Sequence, residues 1–490
     1  METQKVLIQT QSAPMAVTDR AEAKGVLSPP AGMPAIERVL SVTGSATADA
    51  KPASGAVSVT GQVTLLVLYK EGGRTHGFTA VADYSREVKC PPATEGCLCS
   101  VYADVGDIRY ALEGGAVTVG CTVILRCLCG TTESVQALSD LGPDAEELFT
   151  DIECREFSQL TDELSLKDDL RLPRAASGIL GCTAYCRVNG VSQQSGSATV
   201  NGQLHLDLLA AGMDGLPEWL PFTLPFEASI PLEKQADEIS GDVMLTGVSA
   251  ELVGDDTASV DASVTVRLLC GRKDTARVLA DAYCTSCELL LDRRTVRPCR
   301  LFHAVTRGNM RLEAPLPAGY PNAERVIFAS LRPVMGDCTA KDGEMQASGT
   351  VYACVLYLCS GGELHAFDCV LPFETALSAP MMKEGMGIFC HADAECVHAG
   401  GTPGAIVIQT MLDCTAVAWE TSEKTVVVDV TEGKRRGGLY GPVVYFPSKG
   451  ETPWDVGRRF GVPLAELARL NPGADRALPE AVLLNLRRMK

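Results

Sequence analysis

Val57-Ser-Val-Thr-Gly-Gln-Val-Thr-Leu-Leu-Val-Leu-Tyr69 decides the fold, because its layout returns twice further along the chain. The second copy reads Ala198-Thr-Val-Asn-Gly-Gln-Leu-His-Leu-Asp-Leu-Leu-Ala210 and the third Met345-Gln-Ala-Ser-Gly-Thr-Val-Tyr-Ala-Cys-Val-Leu-Tyr357, so Gly61, Gly202 and Gly349 align. An apolar extended stretch follows each one: Phe78 to Tyr84, Leu220 to Glu227 and Phe367 to Glu374. A hairpin pair comes next, with second strands at Val117–Gly130, Ala258–Gly271 and Ala405–Trp419. Gly61 to Gly130 and Gly202 to Gly271 both span 69 residues, so register and length are kept between copies. Alternation of apolar with small or polar residues, Val, Ile and Thr enrichment, and Gly-rich gaps such as Glu71-Gly-Gly and Ser360-Gly-Gly are strand and hairpin signals. The chain is therefore expected to be mainly β, with three repeated antiparallel domains.

The segments between copies also match, Asp140 with Asp281, Glu147 with Glu288 and Leu148 with Leu289, so they belong to the repeat. Pro143 to Leu164 is charged enough for a short helix, whereas its counterpart Glu288 to Val305 reads as extended. Met33-Pro-Ala-Ile-Glu-Arg-Val-Leu40 and Tyr320-Pro-Asn-Ala-Glu-Arg-Val-Ile327 are matching lead-ins. The expected organisation is repeats at 1–165, 166–310 and 311–432, a basic linker at 433–442 and a separate domain at 443–490.

For 490 residues, several cores are expected. With 46% hydrophobic and 21% charged residues the chain is not disordered, and 5% aromatics with 46 Gly and 27 Pro favour short elements joined by turns. The net charge of −18 argues against nucleic acid as a general ligand. Its distribution is uneven: 11 basic and 5 acidic residues from Lys434 to Lys490 give +6, which leaves −24 on the remainder. No apolar run reaches 18 residues and the start lacks a signal-peptide pattern, so neither a transmembrane segment nor export is expected. The 20 Cys then read as reduced thiols.

After Pro442 the pattern changes to strand, helix, helix, strand. Val443-Val-Tyr-Phe446 is a strand, Thr452 is placed as an N-cap with Pro453 in the first turn, and Gly461 stops the first helix. A second helix carries Leu464, Leu467 and Leu470 and ends at Asn471-Pro-Gly473, and Val482 to Leu486 closes with a strand.

Gly450-Glu-Thr-Pro-Trp-Asp-Val-Gly-Arg-Arg-Phe-Gly-Val-Pro-Leu-Ala-Glu-Leu-Ala-Arg-Leu-Asn-Pro472 resembles a LysM domain of the βααβ type. That resemblance implies a shallow N-acetylglucosamine-binding groove formed by two loops, here Gly450, Glu451, Thr452 and Asn471, Pro472, Gly473. Pro453, Glu480 and Leu486 depart from the usual pattern. Three β repeats ahead of such a module resemble the SPOCS-type spore-coat assembly proteins of the SipL kind. This implies a protein of the mother-cell cytoplasm at the forespore surface, docking through LysM onto the ATP-hydrolysing scaffold of the coat base layer. Peptidoglycan binding in cortex or cell wall is the alternative.

Motifs for a phosphate loop, a nucleophile turn or a zinc helix are absent from the sequence, so no catalytic residue, cofactor or metal is expected. Cys284-Thr-Ser-Cys287 has the spacing of half a zinc site or a redox pair, against the plainer reading of two connector thiols. His365, His391 and His398 with Cys369, Cys390 and Cys396 crowd the third repeat without repeated ligand spacing. Arg435–Arg436, Arg458–Arg459 and Arg487–Arg488 are basic pairs, either a patch for an acidic partner or ordinary solvated charge. Trp454 is expected to anchor the core of the small module.

Overall fold

The computed structural model describes residues 3–194, 196–436, 441–473 and 478–486. The first part of the chain gives β1 (Gln4–Gln11), β2 (Met15–Leu27), β3 (Arg38–Ala53), β4 (Ala56–Glu71), β5 (Arg74–Lys89), β6 (Leu98–Glu113), β7 (Ala116–Gly130) and β8 (Thr132–Asp140). Then come β9 (Ala145–Arg171), β10 (Ala176–Gln194), β11 (Ser197–Gly212), β12 (Pro217–Pro231), β13 (Glu238–Leu252) and β14 (Thr257–Cys284). A third set is β15 (Cys287–Val296), β16 (Cys299–Pro315), β17 (Ala323–Lys341), β18 (Glu344–Cys359), β19 (Leu364–Ser378), β20 (Gly387–Thr402), β21 (Ala405–Thr421) and β22 (Lys424–Arg435). The chain closes with β23 (Gly441–Tyr445), α1 (Pro453–Phe460), α2 (Leu464–Leu470) and β24 (Val482–Leu486).

Each repeat is a sandwich of two three-stranded antiparallel sheets. The orders are β3-β4-β5 with β2-β7-β6, β10-β11-β12 with β9-β14-β13, and β17-β18-β19 with β16-β21-β20. The three aligned glycines sit in the middle strand of one sheet, directly across from Tyr84, Phe226 and Phe373. A Cβ on Gly202 would stand 2.2 Å from the Phe226 ring and 2.6 Å from the Arg187 carbonyl, and one on Gly349 2.4 Å from the Val334 carbonyl. The repeat signature is thus steric: an aromatic ring covers a strand position that has room for hydrogen alone.

The apolar ends of these middle strands are buried on both faces, because the second face packs on the other repeats. Leu68, Leu209 and Leu356, each seven residues past its marker glycine, join one cluster at 1% exposure apiece.

The flanking strands build a fourth unit. β1 pairs with β8, the outer halves of β9 and β14 pair with each other, and β15 pairs with β22. These three ribbons share a core of Ile8, Ala137, Ile152, Val278, Val296 and Val426. Every repeat therefore sends its first and last strands into one hub, which fixes how the sandwiches sit together.

This arrangement corrects three expectations. The stretch 143–164 is not helical: β9 runs unbroken to Arg171, because the 28-residue β14 supplies a ladder partner along its whole length and pairing overrides local propensity. The boundaries at 165/166 and 310/311 fall inside β9 and β16, the first strands of the second and third sandwiches, which pair with β14 and β21 of the same repeat. Residues 433–435 of the expected linker are strand, with Arg435 opposite Cys287, and 437–440 lie outside the described residues.

A fourth correction concerns the thiols. Cys338 and Cys390 form a disulfide across the third sandwich, where β17 and β20 from opposite sheets meet, and eighteen cysteines are free. No feature of the local sequence marks that meeting of edges. Among the described residues no helix is long and apolar enough to cross a membrane.

Candidate docking site on the C-terminal module

Two antiparallel strands, β23 and β24, flank the helices of the C-terminal module, over a core of Val456, Val462, Leu467, Val482 and Leu484. Thr452 caps α1: its hydroxyl accepts the Asp455 N–H, and the Asp455 carboxylate accepts the Thr452 N–H at 2.9 Å, a reciprocal box. The Thr452 hydroxyl also holds the Asp455 carboxyl below its usual range. Gly461 ends α1 at φ 62°, a left-handed cap that suits glycine.

Of the eight candidate binding residues, most have structural partners. The Glu451 carboxylate accepts the Tyr445 hydroxyl at 2.9 Å and the Ser448 N–H at 2.9 Å, and it pairs with Arg459 at 3.0 Å. Asn471 is buried, donating to the Leu467 and Leu483 carbonyls and accepting the Leu483 N–H at 2.6 Å, so its amide ties the end of α2 to β24. Gly450 and Gly473 turn the chain at φ 87° and 88°, with Pro472 exposed beside the latter.

Arg458, though exposed, is paired with the hub rather than left free for a partner. It meets Asp281 at 2.8 Å, and the indole of Trp454 donates to the same carboxylate at 2.9 Å while its ring lies edge-on to Tyr283, 5.0 Å between centroids. Arg293 also pairs with Asp281, and the Tyr283 hydroxyl donates to the Val462 carbonyl at 2.8 Å. Trp454 is thus half-buried at a seam between module and hub, where the sequence reading placed it in the module's own core. Arg436 completes the seam by donating to the Cys287 and Arg459 carbonyls, 3.2 Å each. Asp281, Tyr283 and Arg436 were not readable as partners of the module, since the bonded residues are up to 179 positions apart. Arg487 and Arg488 lie outside the described residues.

Among the described residues, the opposite face of the ribbon is open and apolar. Val444 and Leu483 are cross-strand partners at 53% and 50% exposure, and Phe446, just past the end of β23, is 70% exposed. The alternation that buries Val482 and Leu484 predicts this outer row, but only once the register of the pair is known.

A second polar site lies where the sandwiches meet. Tyr102 donates to Asp242 at 2.7 Å and stacks on His391 at 4.4 Å, and His391 Nδ1 is 3.5 Å from buried Asp104, whose other oxygen is 4.0 Å from Arg126. Burial pushes the Asp104 carboxyl up. Burial also disfavours the His391 cation, but Asp393 and Asp104 outweigh it and raise its pKa. The adjoining cavity of 170 Å³ draws its lining from all three repeats, Tyr185, Asp207 and Arg332 among them. These side chains could hold a proton or a small polar molecule, and as placed they bond one repeat to another. His365 stacks on Tyr357 instead, and Cys390 bonds Cys338, so the crowded His and Cys residues of the third repeat do not share one place.

Residues 35–113, from just before β3 to the end of β6, match the family model described as SipL, SPOCS domain, which supports a sporulation-related protein. No curated protein and no solved structure matches the chain.

Proposed function

We propose that this chain is a non-catalytic adaptor of spore envelope and coat morphogenesis. The three sandwiches and their hub form the body, and the C-terminal module is a LysM domain that docks onto the ATP-hydrolysing scaffold of the coat base layer. It acts in the mother-cell cytoplasm at the forespore surface. The observation that carries this reading is the match of residues 35–113 to the SPOCS domain, taken with the return of that same strand pattern in two further sandwiches. The strand, helix, helix, strand order of residues 441–486 supports the LysM assignment.

The docking face in this reading is the outer row of Val444, Phe446 and Leu483, because Arg458 and Trp454 are engaged with the body. An exposed apolar row on a small ribbon is the kind of surface that partners cover. The alternative ligand, an N-acetylglucosamine polymer, would have to use loops in which the Glu451 and Asn471 side chains already have internal partners.

The test is capture by the immobilised full chain from sporulating-cell extract, beside sedimentation of the same chain with purified peptidoglycan. Recovery of the coat scaffold ATPase, lost in Phe446→Asp and kept in Glu451→Gln, supports the adaptor. Sedimentation with peptidoglycan and no scaffold recovery would replace it with the glycan reading.

A further inference from the structure

β14 ends at Cys284 and β15 begins at Cys287, so the Thr285-Ser286 turn brings two thiols together. Ser286 is exposed at the tip of the turn, and the two thiols lie just beneath it at 2% and 7% exposure. Cys284 Sγ accepts the Ser286 N–H at 3.4 Å and shares a hydrogen bond with the Ser286 hydroxyl at 3.0 Å, and the amide and thiol of Cys287 lie close enough to favour its thiolate as well. Burial pushes the Cys284 thiol up, but these hydrogen bonds outweigh it and bring its pKa below the ordinary thiol value. Cys287 is pushed up, by burial and then by its bond with Cys284. The other described free thiols with a resolved displacement also move up, so Cys284 differs from them in its hydrogen bonds and not in its burial.

The turn is also the seat of the C-terminal module. Tyr283, next to Cys284, holds the Val462 carbonyl. The Ser286 and Cys287 carbonyls accept from Arg436 at 3.0 and 3.2 Å, and Arg436 passes on to the Arg459 carbonyl of the module. Thr285 contributes a carbonyl 3.2 Å from where a Cβ on Gly461 would stand. The register-matched positions of the first repeat are Pro143 and Glu146, so the dithiol belongs to this one turn of the hub.

We infer that Cys284 and Cys287 are a reversible dithiol–disulfide pair whose oxidation unseats the C-terminal module. The co-reactant is a low-molecular-weight disulfide. The Cys284 thiolate attacks one of its sulfurs, forming a mixed disulfide and expelling one thiolate. Cys287 then attacks the Cys284 sulfur, closing the intramolecular bond and expelling the second. Two cysteine thiols and one disulfide become one protein disulfide and two small thiols, which carry off the two protons. Closing the bond moves the Ser286 and Cys287 carbonyls away from Arg436, and the seam opens. This holds whichever partner the module docks.

The experiment treats the full chain with oxidised glutathione at neutral pH, quenches with acid, alkylates and maps peptides, while hydrogen exchange follows α1 and α2. The expected result is loss of both thiols of the 284–287 peptide to one disulfide before the other free cysteines react, with α1 and α2 losing protection and dithiothreitol restoring it. Cys287→Ser should trap glutathione on Cys284. The double variant Cys284→Ser, Cys287→Ser should keep its exchange pattern with or without oxidant, which separates the switch from misfolding. Consumption of other thiols first, a disulfide with no change in α1 and α2, or a zinc ion that shields both thiols from alkylation would overturn the inference.

Discussion

Replacing Asp281 by alanine removes the acceptor shared by Trp454 and Arg458 while leaving both sheets of every sandwich intact. The indole-to-carboxylate bond is charge-assisted and contributes about 1.5–3 kcal/mol. Arg458 is 45% exposed, so its pairing adds no more than about 1 kcal/mol after solvent screening. Docking of the module should therefore weaken by about 1.5–4 kcal/mol, roughly 10- to 700-fold in the docking equilibrium. The Tyr283 hydroxyl keeps its hold on Val462, so the module loosens without unfolding. Hydrogen exchange resolves this: amides of α1 and of the end of β14 should exchange faster, while β4, β11 and β18 keep their protection. Asp281→Asn, which retains an acceptor for the indole, should show a smaller effect. Unchanged exchange in α1, or loss of protection throughout the sandwiches, would refute the view of the seam as the module's principal attachment.

Leu209→Ala opens a hole where the three repeats meet and should cost about 2–5 kcal/mol, read as one lowered thermal transition of the whole body rather than of the second repeat alone. Gly349→Ala should cost about 1–3 kcal/mol by chemical denaturation, since the new methyl meets the Val334 carbonyl and the Phe373 ring. Asp207 gives a pH signature: burial, opposed by its bond from Trp219, raises its pKa to about 6. The folded state then holds a proton that the unfolded state releases, so this contribution falls as pH rises from about 4 to about 6 and stays lost above. Asp207→Asn should flatten stability against pH in that window, measured as urea midpoints.

The sandwiches were legible because their signature is local. Gly61, Gly202 and Gly349 mark sites where an aromatic residue of the next strand covers the backbone, and both partners lie within one hairpin. The hub was not legible, because its ribbons pair segments far apart, such as Ile8 with Val135 and Leu291 with Val430, and each ribbon alone has too little apolar surface to announce a core. The same reason hid the seam: Asp281 reads as an ordinary connector carboxylate until the fold places Trp454, 173 residues away, above it. The charge of residues 143–164 suggested a helix, and the long partner strand β14 overrode it. Cys284-Thr-Ser-Cys287 was visible as a motif, but the hydrogen bonds at its first sulfur depend on the turn geometry.

The central claim is tested most directly by titrating the purified full chain against the purified coat scaffold ATPase, with Leu483→Asp as the paired variant. The expected result is saturable binding by the native chain and a loss of at least about tenfold with Leu483→Asp, whose side chain lies on the open face away from the seam, while its thermal transition is unchanged. Equal affinity of the two proteins, or no binding by either alongside saturable binding of N-acetylglucosamine oligomers, would contradict the adaptor reading.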